Sequence, residues 1–133
     1  MLGVDTNVIV RFLAIDDDRQ TPMAGRFMAR AENQPVRIAL IVIVEAFWVL
    51  TKTKKFPRAR VFAAFRDLLQ SSQFVIEEAE LVALALEQAE ATGSDLADAL
   101  IALLNHHAGC EATATFDADA QRLEHMIAVE ARL

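Results

Sequence analysis

At 133 residues, 54% hydrophobic and 24% charged, the chain suits one globular domain, residues 1–133, with an ordinary core, and not a disordered segment. Its net charge of −6 argues against a general nucleic-acid binder, and its longest apolar run, broken by Glu45, is too short to span a bilayer. The one cysteine, Cys110, excludes an internal disulfide and is expected to be a small buried hydrophobe in a reducing compartment. The N-terminus lacks the basic n-region and the small-residue cleavage site of a signal peptide. A cytoplasmic protein without membrane contact is expected.

In chain order, Met1-Leu2-Gly3-Val4 is a short apolar segment that ends at Asp5-Thr6-Asn7. Val8, Ile9, Phe12 and Leu13 then recur at helical spacing. Asp16-Asp17-Asp18 is a polar break, and Thr21-Pro22 supplies an N-cap and a first-turn proline for a helix to about Glu32. Val36-Arg37-Ile38-Ala39 reads as a strand. Leu40 to Val44 fits either its continuation or the next helix, because β-branched residues dominate. Phe56-Pro57 opens a helix through about Gln70, and Phe74-Val75-Ile76 is a strand. A helix from Glu78 to Thr92 stops at Gly93, and Ser94 caps another that runs to His107 and ends at Gly109. Cys110 to Thr115 is strand-like, Asp117 to Leu123 helical, and Ile127-Ala128-Val129 a last strand. Short strands alternating with helices imply parallel pairing with helices on both faces, and ligands gather at the carboxyl ends of such strands.

Charge is distributed unevenly. Residues 1–66 carry eleven Lys/Arg against six Asp/Glu, and residues 67–133 carry two against thirteen. Lys52, Lys54, Lys55, Arg58 and Arg60 fall within nine positions. They read either as a solvated helix end or as a local phosphate-contacting patch.

Four acids stand beside apolar segments. Glu45 lies inside Ala39 to Leu50, otherwise wholly apolar, where an unpaired buried carboxylate would cost several kcal/mol. It is therefore expected to meet a cation or a set of donors. Asp5 is either an N-cap or part of a site, with Thr6 and Asn7 beside it. Asp98 faces away from the stripe of Leu96, Leu100, Leu103 and Leu104, on a solvated face or at a site. Asp117 follows Thr115 after a strand. Four such carboxylates suit divalent cations. His106, His107 and His125 make no ligand pair, Cys110 has no base partner, and Phe47 and Trp48 are expected in the core.

The set Asp5-Thr6-Asn7, Glu45, Ser94-Asp95-Leu96-Ala97-Asp98-Ala99-Leu100-Ile101-Ala102 and Thr115-Phe116-Asp117 resembles the PIN-domain family, above all the small VapC-type ribonuclease toxins. The resemblance covers essentially the whole chain. It implies a three-layer α/β/α sandwich with a central short-stranded parallel sheet. Its acidic quartet falls on Asp5, Glu45, Asp98 and Asp117 as catalytic and metal-holding residues, with Thr6, Asn7 and Thr115 in support. Asp95 and Asp119 are extra acids without an assigned part. It further implies Mg²⁺ or Mn²⁺, an RNA substrate touched by Lys52, Lys54, Lys55 and Arg58, a homodimer, and a small antitoxin that blocks the site. Three alternatives stand beside this reading. One is an RNA-processing nuclease outside any toxin–antitoxin pair, and another is a non-catalytic dimeric binding module. The third, a phosphohydrolase with an aspartyl nucleophile, is disfavoured because Asn7 stands where a second Asp is usual.

Overall fold

The computed structural model describes residues 1–133, which divide into two compact units, Met1–Ala79 and Glu80–Leu133. In the first, β1 (Leu2–Val4), β2 (Val36–Ile38) and β3 (Phe74–Ile76) form a parallel sheet in the order β1-β2-β3. Leu2, Gly3 and Val4 lie opposite Val36, Arg37 and Ile38, which lie opposite Phe74, Val75 and Ile76. The connections are helical: α1 (Thr6–Ala14), α2 (Gln20–Ala29), α3 (Leu40–Trp48) and α4 (Arg58–Gln70). The three strands end at Val4, Ile38 and Ile76, so Asp5, the start of α3 and Glu77 share one rim of the sheet.

The ambiguous run after Ile38 is helical. Ala39 cannot cap with its side chain, and the free N–H of Leu40 instead donates to Glu77 Oε1 at 2.8 Å. Helix α3 buries Val42, Ile43, Ala46 and Phe47, and Phe47 packs edge-on against Phe62 and Phe65 of α4, at centroid distances of 5.1 and 5.6 Å. A wide turn, Val49–Thr53, extends α3 and tucks Leu50 into the core.

The polar break after α1 is structural. Asp17 Oδ1, rather than Thr21, accepts from the N–H groups of Arg19 and Gln20 and so caps α2, while Thr21 Oγ1 donates to the carbonyl of Arg11. Asp16 is bonded by Lys54 Nζ at 2.6 Å and by Arg11 at 3.1 Å, and the Lys54 and Arg11 cations hold its carboxyl below the usual 3.8. A lowered native value adds stability above the unfolded value of 3.8 that is lost as pH falls through the native one. Chemical unfolding of wild type and Asp16→Asn should therefore differ at pH 7, and the difference should shrink as the pH falls below 3.8.

The second unit holds α5 (Ala79–Thr92), whose residues from Glu80 onward belong to it, α6 (Leu96–His107) and a second parallel pair, β4 (Thr113–Thr115) with β5 (Met126–Ala128). Its core is formed by Val82, Leu86 and Ala89 of α5, by Leu96, Ala99, Leu100 and Leu103 of α6, and by Leu123. Both helices stop where expected, because Gly93 and Gly109 take φ of 75° and 99°. Ser94 differs from expectation. It is buried, accepting from Thr92 Oγ1 at 2.9 Å and donating to the carbonyl of Asp119 at 3.2 Å, and Asp95 occupies the N-cap position. The segment after Asp117 forms only one short turn, Ala120–Arg122. All strand pairs are parallel, as the alternating pattern implied, but they hydrogen-bond as two sheets. No helix is long and apolar enough to cross a membrane.

Candidate active site

In the first unit, Asp5 follows β1 directly and is the N-cap of α1. The N–H of Val8 donates to its Oδ1 at 3.1 Å, so one carboxylate oxygen anchors the helix and the other is open. Thr6 donates from Oγ1 to Glu45 Oε1 at 2.8 Å, which fixes the Glu45 carboxylate beside the start of α1. Asn7 Nδ2 reaches Gln20 Oε1 of α2 at 3.5 Å.

Glu45 is not buried. Ile41, Glu45 and Trp48 fall at i, i+4 and i+7 of α3, on the face turned away from its core residues, and all three are exposed. The expectation of a buried acid met by a cation or a set of donors is thus corrected in its burial: the run is apolar because most of α3 is core, and the acid sits on the open stripe with Thr6 as its donor. Trp48, 56% exposed, is likewise not a core residue, unlike Phe47.

The second unit presents another acidic set. Asp95 makes no capping bond with its side chain, and Asp98 lies in the first turn of α6. Burial pushes the Asp98 carboxyl above its usual value, and the charges of Asp95 and Asp117 push it the same way. Asp98 is half-buried, beside the fully buried Ala99 and Ala102, and so does not lie on a fully solvated face. Thr115 Oγ1 accepts from the N–H of Asp117, and Asp117 Oδ1 accepts from that of Asp119, so a tight turn presents Asp117. Asp119 is committed to Arg122 at 2.7 Å. Asp98 receives no such cation.

The basic segment is partly committed. Lys54 is bonded to Asp16, and Arg58 lies over the Phe62 and Phe47 rings at 5.1 and 6.0 Å. Lys52 and Lys55 are exposed. Cys110 is exposed just after the turn at Ala108 and Gly109, so it is not the buried hydrophobe expected. The ring of His125 stacks on that of His106 at 3.7 Å.

A family model described as PIN domain matches residues 3–126. The chain belongs to the PIN-domain family. The parallel strands and helices agree with its three-layer α/β/α fold. No curated protein matches the chain. PIN domains are in general metal-dependent nucleases that act on RNA or other nucleic acids with divalent ions such as Mg²⁺.

The donors fit such an ion by chemical type. They are carboxylate oxygens, hard ligands, and the charge of Asp98 is opposed by burial and by two other acids. No three His, Cys, Asp or Glu side chains enclose an ion. Mg²⁺ does not require that, since it keeps several waters and is held by one or two carboxylates.

Proposed function

We propose that this PIN domain, working as one domain over residues 1–133, is a Mg²⁺- or Mn²⁺-dependent endoribonuclease. We infer further that it is the toxin of a VapC-type type II toxin–antitoxin pair, a cytoplasmic homodimer restrained by a small antitoxin protein. The observation that carries the nuclease reading is Asp98, a half-buried carboxylate crowded by Asp95 and Asp117 with no cation beside it, in a family of metal-dependent nucleases.

Asp5, Glu45, Asp98 and Asp117 are assigned as the catalytic, metal-holding carboxylates. When bound, the ion supplies activation of a water and stabilisation of the leaving oxygen in phosphodiester hydrolysis. Asp5 can ligate through its open oxygen without giving up the cap on α1. Thr6 keeps Glu45 oriented, and Thr115 holds the backbone turn that aims Asp117. Asn7 steadies Gln20 of α2. Lys52 and Lys55 are the freer phosphate contacts, with Lys54 and Arg58 held mainly by their partners within the fold. Exposed Ile41 and Trp48 flank Glu45 on α3 and support a face covered by a partner, the second copy or the antitoxin.

The nuclease reading is tested by incubating the purified protein with mixed-sequence RNA in Mg²⁺, in Mn²⁺ and in chelator, with a thermal melt in each. Cleavage in metal alone is expected, with a metal-dependent rise in Tm, since an ion bound only to the native state stabilises it. No cleavage and an unchanged melt would overturn it. The toxin reading is tested by expression in bacteria. Growth arrest that Asp98→Asn abolishes is expected, and normal growth would count against it.

A further inference from the structure

A cavity of about 510 Å³ opens between α1 and α2, within the first unit, and Asp5 lines it. Its walls are apolar, with Val4 and Val8 on one side and Met23 and Phe27 on the other. Asn7, Arg11 and Gln20 supply its polar edge. Met23 is 49% exposed, an unusual amount for a thioether beside a half-buried phenyl ring.

The hydrogen bonds at that edge have a definite polarity. Arg11 can only donate, so the oxygen of Gln20 must face it, and Arg11 Nε donates to Gln20 Oε1 at 2.8 Å. Arg11 is itself held by Asp16 at 3.1 Å, and Asp16 by Lys54 at 2.6 Å. A chain of four side chains thus fixes the Gln20 amide. Asn7 offers its Nδ2 to the same oxygen, at 3.5 Å, which leaves its carbonyl free to accept. The Gln20 amino group and the Asn7 carbonyl have no hydrogen-bond partner within the protein, and both residues line the apolar slot.

Resting on the nuclease reading above, we propose that this slot is a nucleobase subsite: it takes one unstacked base of the RNA, beside the phosphate to be cut. A donor next to an acceptor matches the Watson–Crick edge of a base, and Met23 and Phe27 present the surface on which its ring stacks. Asp5, an assigned metal holder, lines the same cavity, so the nucleotide bound there is a neighbour of the scissile bond. Phe27 is shared with an open depression lined by Arg26 and Arg30. Arg30 is paired with Glu32 at 2.6 Å, while Arg26 has no acidic partner and is available to the next phosphate. Gln20 is the residue that sets base preference.

The experiment uses full-length protein in an Asp98→Asn background, which leaves the RNA intact, and short RNAs with 2-aminopurine walked through successive positions. Emission should rise on binding at one position, where the base leaves its quenching neighbours, and Phe27→Leu, which keeps the apolar burial, should reduce that rise. The same change should weaken affinity by up to roughly 5- to 150-fold, the range of one base–aromatic stack. In the active protein, Gln20→Met should flatten base preference at that position. Gln20→Glu, which still accepts from Arg11 but exchanges the outward donor for an acceptor, should shift the preference toward other bases. If no RNA is cut in any metal, the nuclease reading falls, while the emission arm still decides the subsite. RNA that binds with no position brightened, or with affinity and base preference unmoved by Phe27→Leu and Gln20→Met, would give the slot to a protein segment and overturn the proposal. Failure to bind RNA at all would overturn both.

Discussion

Replacing Asp98 with Asn should abolish RNA cleavage and leave the metal-free protein no less stable than wild type. The two effects share one cause. Asp98 carries a charge that burial, Asp95 and Asp117 all oppose, so the metal-free fold holds it at a cost. Asn is nearly isosteric and neutral, which removes the repulsion. The Tm at pH 7 in chelator should hold or rise. The same change removes a ligand oxygen's charge, and a bound ion's stabilisation of the transition state amounts to several kcal/mol. At about 1.36 kcal/mol per factor of ten, cleavage should drop by at least roughly 10³-fold. The Mn²⁺-induced rise in Tm should shrink in parallel, as calorimetry with and without the ion would show. A metal-free variant that is markedly less stable would mean that Asp98 holds the fold together, and its metal-holding assignment would fail.

How much of this was legible in the sequence depends on how far away the deciding partner lies. Strand β3 and the stops at Gly93 and Gly109 were local matters of hydrophobic pattern and backbone freedom, and they stand where the sequence puts them. The start of α3 was not local. Its N-terminal N–H is satisfied by Glu77, which comes 37 residues later, while the β-branched run itself fits strand and helix equally. Glu45 misled for a related reason: eleven apolar neighbours in sequence are not eleven neighbours in space once a helix turns one stripe outward. Ser94 looked like a cap, yet it bonds to the carbonyl of Asp119 and is buried. Lys54 was read with the other cations of its segment, although its partner is Asp16, beyond β2 and two helices. Gln20 was missed altogether. Glutamine carries no charge signal, and only the fold brings Arg11 and Asn7 to its oxygen.

The acids of the two units also differ in how the sequence shows them. Asp98 and Asp117 act on one another electrostatically, and each alone could pass for an ordinary helix or turn residue. Asp5 fills both of the roles weighed for it, which makes substitution there the sharper instrument. It caps α1 through Oδ1 to the N–H of Val8 at 3.1 Å, and α1 is only nine residues long, so its first turn depends on that bond. Asn can cap as well as Asp, whereas Ala cannot, and loss of an N-cap costs about 1 kcal/mol, with a range of roughly 0.5–2. Asp5→Asn should therefore keep the stability of wild type in chelator, and Asp5→Ala should lose about 1 kcal/mol by denaturant unfolding. Both should lose cleavage by at least roughly 10³-fold, because neither supplies an anionic oxygen to the ion. Were Asp5 only a cap, the two variants would part company in activity as well: Asp5→Asn would cut RNA as wild type does, and only Asp5→Ala would be impaired, in proportion to the fraction unfolded.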